Sequence, residues 1–148
     1  VADLELENVT VLHYVDEMAA LMAASDVAIC KSGGLTVTEC LCSETPMILI
    51  GQAYGQEKAN VLMLTAMGAA LHVTTARELL SALRNFSRRP ESLQALLVNG
   101  RAIRRPNAAL DVAASAFRLA ALPPEECHTD RRKRFLNVYW GKKPAHTR

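Results

Sequence analysis

The chain is 148 residues long, 50% hydrophobic and 22% charged, which is the range of one globular domain with its own buried core. Its longest uninterrupted apolar stretches, such as Met18 to Ala24, fall far short of the roughly 20 residues a spanning helix needs, so a membrane-embedded chain is not expected. The net charge of +2 hides an asymmetry: residues 131 to 148 carry seven basic residues and no acid, leaving ten basic against fifteen acidic residues over 1 to 130.

The opening stretch, Val1 to Asn8, is acidic and has no basic start followed by a long apolar run, so no signal peptide is read there and the chain is expected to begin inside a longer protein. Cys30, Cys40, Cys42 and Cys127 lack zinc-type spacing, and buried free thiols in a reducing cytoplasm are expected. Short apolar runs then alternate with helical patterns, the signature of successive βα units feeding a parallel sheet. Strands are predicted at Val9–Leu12, Val27–Cys30, Met47–Ile50 and Ala70–Val73. Helices are predicted to start near Asp16, Leu35 and Gln56, the third closed by Gly68 in the left-handed position that ends many helices. Thr74 or Thr75 caps a helix running to about Phe86; Pro90 opens another that Gly100 ends; Pro106 opens a last one that stops before Pro123. The expected fold is α/β, a Rossmann-like parallel sheet with flanking helices over residues 1–122, followed by a basic aromatic tail over 123–148.

Such sheets bind ligands at the carboxyl ends of their strands, which directs attention to the loops 13–16, 31–35 and 51–56. In Lys31-Ser32-Gly33-Gly34-Leu35-Thr36 a strand passes into a helix across two glycines, so several backbone N–H groups converge where the helix dipole adds about half a positive charge. Ser32 and Thr36 offer hydroxyls and Lys31 a full charge, a set suited to phosphate. A tight turn that needs glycine for its backbone is the plainer explanation of the same pair. Glu39, three residues past Thr36, would repel a bare diphosphate but can accept hydrogen bonds from two vicinal hydroxyls, as on a ribose; the alternative is a carboxylate complementing the helix dipole. In the third loop Gly55 lets backbone close in, while Gln56, Glu57 and Asn60 lie on the first turns of the next helix and could address hexose hydroxyls, or merely cap it.

The ordered set Tyr14-Val15-Asp16-Glu17-Met18, Ala24-Ser25-Asp26, Lys31 to Glu39, Pro46, Gly55-Gln56-Glu57 with Asn60, and Arg105-Pro106-Asn107-Ala108-Ala109 resembles the donor domain of GT-B glycosyltransferases. The resemblance covers about residues 9 to 120. It is strongest to monogalactosyldiacylglycerol synthases and processive diacylglycerol glucosyltransferases, and more distant to the peptidoglycan lipid-linked N-acetylglucosaminyltransferase. It implies a partial C-terminal lobe of a GT-B fold in which Tyr14 and Val15 flank uracil, backbone from Gly33 to Thr36 holds the diphosphate, Glu39 takes the ribose, and Gln56 and Glu57 meet the donor sugar. The Gly-Gln-Glu form of that loop favours the glycerolipid branch. The implied reaction moves a hexose from a UDP-sugar to a lipid hydroxyl with inversion, its catalytic base lying on an N-terminal acceptor lobe outside this chain. No catalytic residue is therefore expected here, no cofactor beyond the UDP-sugar substrate, and no metal, since no Asp/His cluster adjoins the phosphate loop.

Expected partners are the UDP-sugar and a lipid acceptor, with no nucleic acid. The tail, where Phe135, Leu136, Tyr139 and Trp140 interleave with the basic residues, suits an anionic membrane surface, placing the protein at the inner face of the membrane as a peripheral cytoplasmic one. A sugar-nucleotide epimerase of the same architecture and a non-catalytic nucleotide-binding module are the rival readings. The tail itself matches nothing in the family.

Overall fold

A computed structural model describes residues 8–121. The tail over 123–148, with its membrane-surface expectation and Cys127, lies outside the described residues. The chain divides into two compact units, Val1–Arg105 and Pro106–Arg148.

In the first unit three short strands, β1 (Ala28–Cys30), β2 (Met47–Ile50) and β3 (Ala70–Val73), pair in parallel in the order β1-β2-β3. Ala28 sits opposite Met47, and Met47 opposite Ala70, so the three strands run in step. Parallel neighbours require a crossover, and helices α2 (Gly34–Cys42) and α3 (Gln56–Ala66) supply them. The central strand reads Met47-Ile48-Leu49, and all three are fully buried, because side chains alternate between faces and both faces of this strand are covered. Met47 and Leu49 pack with Val37, Cys40, Val61 and Leu64 of α2 and α3. Ile48 points the other way, onto Ala82, Leu79 and Phe86 of α4 (Ala76–Arg88). Helix α1 (Met18–Ala23) lies against α2, and α5 (Pro90–Ile103) contributes Ile103 to the first face.

Local chemistry sets the boundaries. Thr75 caps α4: its hydroxyl accepts the Glu78 N–H at 3.2 Å, and the Glu78 carboxylate takes the N–H groups of Thr74 at 2.7 Å and Thr75 at 3.2 Å. Those N–H bonds, the Thr74 one foremost, hold the Glu78 carboxyl below its ordinary range. Gly68 follows α3 at φ 63°, with its carbonyl accepting from Asn99 Nδ2 at 3.0 Å. Glu44, just past α2, also has positive φ, 57°, and its carboxylate is gripped by Arg101 and Arg104 of α5 and its end. The Arg101 hydrogen bond is the main reason that carboxyl too sits below its ordinary range.

Three expectations are corrected. Residues 9–12 form no strand: Val11 and Leu12 are 62% and 55% exposed, and an extended run without a paired neighbour makes no ladder. Gly100 does not end α5 but sits inside it, buried, where a Cβ would lie 3.3 Å from Leu41 Cδ2; it is small so that α5 can approach α2. The last helix, α6 (Ala108–Ala120) in the second unit, starts after Asn107 as N-cap, two residues past Pro106. The other starts shift by a residue or two, α1 to Met18 and α2 to Gly34.

Candidate functional site

Because all three strands run the same way, the segments following Cys30, Ile50 and Val73 leave the sheet at one edge, its carboxyl end. The loop after β1 becomes α2 with Gly33 as N-cap, and no side chain caps that terminus. The first intrahelical bond runs from the Val37 N–H to the Gly33 carbonyl at 3.0 Å, leaving the N–H groups of Gly34, Leu35 and Thr36 without a helical partner. Gly33 has φ −64° and ψ 141°, Gly34 is helical, and a Cβ on either would meet no atom within 4 Å. Neither glycine is needed by the backbone or by packing, which removes the tight-turn explanation. A side chain at either position would stand in open space at the start of α2.

The residues around this terminus are arranged unequally. Ser32 is 4% exposed, and its hydroxyl has no hydrogen-bond partner among the described residues. No fully buried side-chain oxygen or nitrogen in that set lacks a partner, so the hydroxyl keeps access to the surface. Thr36 is partly buried, Lys31 is exposed, and Leu35 is 82% exposed on the rim. Thr38 is not free, since its hydroxyl donates to the Gly34 carbonyl at 2.7 Å. Glu39 is exposed and makes no ion pair among the described residues. It is the sixth residue of α2, which has no acid in its first turn, so it stands too far along to complement the dipole, whose effect fades within that turn.

The loop after β2 takes its shape from glycine. Gly51 has φ 87° and Gly55 has φ 55° with ψ −125°, conformations that L side chains resist, and here the glycines are structural requirements. The Glu57 N–H closes the turn on the Tyr54 carbonyl at 3.1 Å, leaving Gln56 exposed and Glu57 partly buried on the first turn of α3. Asn60, one turn on, has a partner in the first loop: its Nδ2 donates to the Ser32 carbonyl at 2.8 Å. The two loops are thus tied directly, and among the described residues this is the one side-chain hydrogen bond that joins the two candidate sets. Tyr14 is exposed and Val15 partly buried, ahead of α1; none of the described hydrogen bonds joins them to either loop.

His72 was not singled out in the sequence. Its Nε2 lies 2.9 Å from the Gly51 carbonyl, and it lines an open depression with Tyr54, Gly55, Lys58 and Thr74. A lone histidine in a four-residue apolar strand carries no signal of this; only the register that sets it opposite Leu49 does. Where α2 packs on β1, the neighbouring Cys40 thiol holds the Cys30 pKa down, and the same contact, with burial, pushes that of Cys40 up. Among the described residues no group of three or more His, Cys, Asp or Glu is placed to hold a metal, and no helix is long and apolar enough to cross a membrane.

Residues 1–98 match the model of the glycosyltransferase family 28 C-terminal domain. The chain is 32% identical over 120 residues to the UDP-N-acetylglucosamine--N-acetylmuramyl-(pentapeptide) pyrophosphoryl-undecaprenol N-acetylglucosamine transferase of Methylibium petroleiphilum, an alignment covering 76% of this chain and 32% of that protein. It is 34% identical over 87 residues to the processive diacylglycerol beta-glucosyltransferase of Staphylococcus aureus, covering 59% and 22% respectively. The crystal structure of Acinetobacter baumannii MurG superposes with a TM-score of 0.60 at 27% identity, covering 70% of this chain and 33% of that one. The chain thus spans about a third or less of the length of these relatives. The parallel sheet with flanking helices matches the C-terminal lobe of the GT-B fold, as the motifs implied. With 98 of its 148 residues matched by that model, the chain belongs to the glycosyltransferase family 28 C-terminal domain family.

Proposed function

We propose that this chain is the donor-binding part of an inverting glycosyltransferase that moves a hexose from a UDP-sugar to a lipid hydroxyl. The observation that carries the reading is the mouth of α2, where two glycines that the fold does not require stand before three unpaired N–H groups. An anion of diphosphate size takes those donors and the positive end of the helix dipole. Ser32 and Thr36 add hydroxyls, and Lys31 is long enough to swing its charge over the site. Glu39, without a dipole role or an ion pair, accepts the two ribose hydroxyls; Tyr14 and Val15 flank the uracil; Gln56 and Glu57 meet the sugar. The relatives support this chemistry, one being named for a UDP-sugar donor and a polyprenyl-linked acceptor, the other for a diacylglycerol acceptor.

In the reaction the acceptor oxygen attacks the anomeric carbon while the bond from that carbon to the diphosphate oxygen breaks, and the bonding pair leaves with UDP. The acceptor proton passes to a base outside the described residues. The contribution of this chain is electrostatic: negative charge grows on the diphosphate as the bond breaks, the α2 N–H groups are already aligned by the helix, and Lys31 is long enough to reach it. The protein acts at the membrane surface from the cytoplasmic side, where a lipid acceptor and a soluble nucleotide meet.

The test is turnover by the full-length protein with UDP-glucose, UDP-galactose or UDP-N-acetylglucosamine, with and without vesicles carrying diacylglycerol or a polyprenyl-linked acceptor. Transfer that requires the lipid supports the proposal. Interconversion of UDP-sugars without lipid would identify an epimerase, and UDP binding with no turnover on diacylglycerol or on a polyprenyl-linked acceptor would identify a non-catalytic module.

A further inference from the structure

Asn60 has the residue type of a sugar contact, but its amide is already engaged with the phosphate loop. The geometry points to Asn60 as a positioning residue that orients the Gly33 N–H toward the donor diphosphate by holding the Ser32 carbonyl. The inference rests on the reading of the α2 terminus as a diphosphate site. The peptide between Ser32 and Gly33 is trans, as is every described peptide bond. In a trans peptide the carbonyl and the following N–H point in opposite directions. Pinning the Ser32 oxygen to α3 at 2.8 Å therefore turns the Gly33 N–H away from α3. That N–H has no partner among the described residues and belongs to the N-cap of α2, next to the three other unpaired N–H groups.

The bond spans 28 residues and is partly buried, so it is made by folding and not by the local turn. Gly33 needs such a brace. With no Cβ, and open space where one would stand, Gly33 has no side-chain packing of its own to fix the peptide plane ahead of it. A hydrogen bond from outside the loop substitutes for that packing. It also links the sugar-side helix to the phosphate side, since Asn60 lies one turn past Gln56, so the two halves of the donor site are set relative to each other by one amide.

The experiment compares three ligands, uridine, UDP and UDP-glucose, by calorimetric titration into the full-length wild type, Asn60→Ala and Asn60→Leu, with a thermal melt of each. Leu keeps the approximate shape of the side chain while removing both polar ends, so it serves if the Ala variant is too unstable to titrate. The brace acts only through a phosphate donor, so the preference of the protein for UDP over uridine should shrink about tenfold in either variant, the scale of one hydrogen bond to a charged group, while uridine affinity holds. UDP-glucose should weaken by the same factor as UDP and no more. Loss confined to UDP-glucose would make Asn60 a sugar contact and overturn the inference. Equal loss for all three ligands with a lowered melting temperature would make it a scaffold residue and do the same. A wild type that binds UDP no better than uridine would overturn the inference together with the diphosphate reading beneath it.

Discussion

Glu39 and Gly68 show how one residue type at one position can be assigned to ligand or to fold. Glu39 stands past the first turn of α2 with no ion pair among the described residues, so removing its charge has little to disturb in the fold. Glu39→Gln in the full-length protein should weaken UDP binding about ten- to a hundredfold, the effect of charge-assisted bonds worth about 1.5–3 kcal/mol, with an unchanged melting temperature. Unchanged affinity with a lowered melt would return it to a structural role. Gly68 is the converse case: at φ 63°, and with a Cβ placed 2.7 Å from Asn99 Nδ2, it serves the fold alone. Gly68→Ala should destabilise by about 1–3 kcal/mol in denaturant melts and leave UDP affinity intact, because the strain falls at the far end of α3 from the candidate site.

At the scale of elements, α4 carries the clearest stability test. Thr75→Ala removes the hydroxyl that accepts the Glu78 N–H and should cost about 1 kcal/mol. The Glu78 carboxyl is held below its ordinary range by the Thr74 and Thr75 N–H groups, so its contribution is complete above the unfolded value of about 4.3 and fades as pH falls through the lower folded one. Glu44, lowered by Arg101, acts in the same direction. The melting temperature of the wild type should therefore drop as pH falls below about 4.5, and more shallowly in Glu78→Gln, whose amide can still cap but does not titrate; parallel curves for the two would contradict the assignment. The same elements show what a sequence displays. Met47–Ile50 and Ala70–Val73 were legible to the residue because each is a short, mainly apolar run marked off by a glycine, Gly51 after the first and Gly68 before the second, and α3 because Gly55 and Gly68 bracket it. Residues 9–12 have the same composition but no neighbour to pair with, and pairing is not written in a strand's own residues. Gly100 looked like a helix end because the reason for its size, Leu41, lies 59 positions away. The passage from strand into helix across Gly33 and Gly34 was legible in the sequence, whereas the bond from Asn60 to Ser32 and the place of His72 beside Gly51 exist only after folding.

For the whole molecule, the first unit presents its candidate site at the carboxyl edge of a sheet whose outer strand, β1, leaves Ile29 43% exposed. Transfer needs donor and acceptor held together, and this chain spans about a third or less of its relatives' length. The 148 residues alone should bind UDP but transfer no sugar to diacylglycerol vesicles; measurable transfer would refute the division of labour proposed here. The central claim is that the space before α2 belongs to a diphosphate, and Gly34→Ala probes it with one methyl group. A Cβ at Gly34 meets nothing in the protein, and helical Cβ atoms tilt toward the N-terminus, into that space. Alanine is also the better helix former, by about 0.5–1 kcal/mol. Titration of UDP into the full-length wild type and Gly34→Ala, beside their thermal melts, should show a variant at least as stable as the wild type that binds UDP at least about tenfold more weakly. Equal UDP affinity in the two proteins would contradict the account.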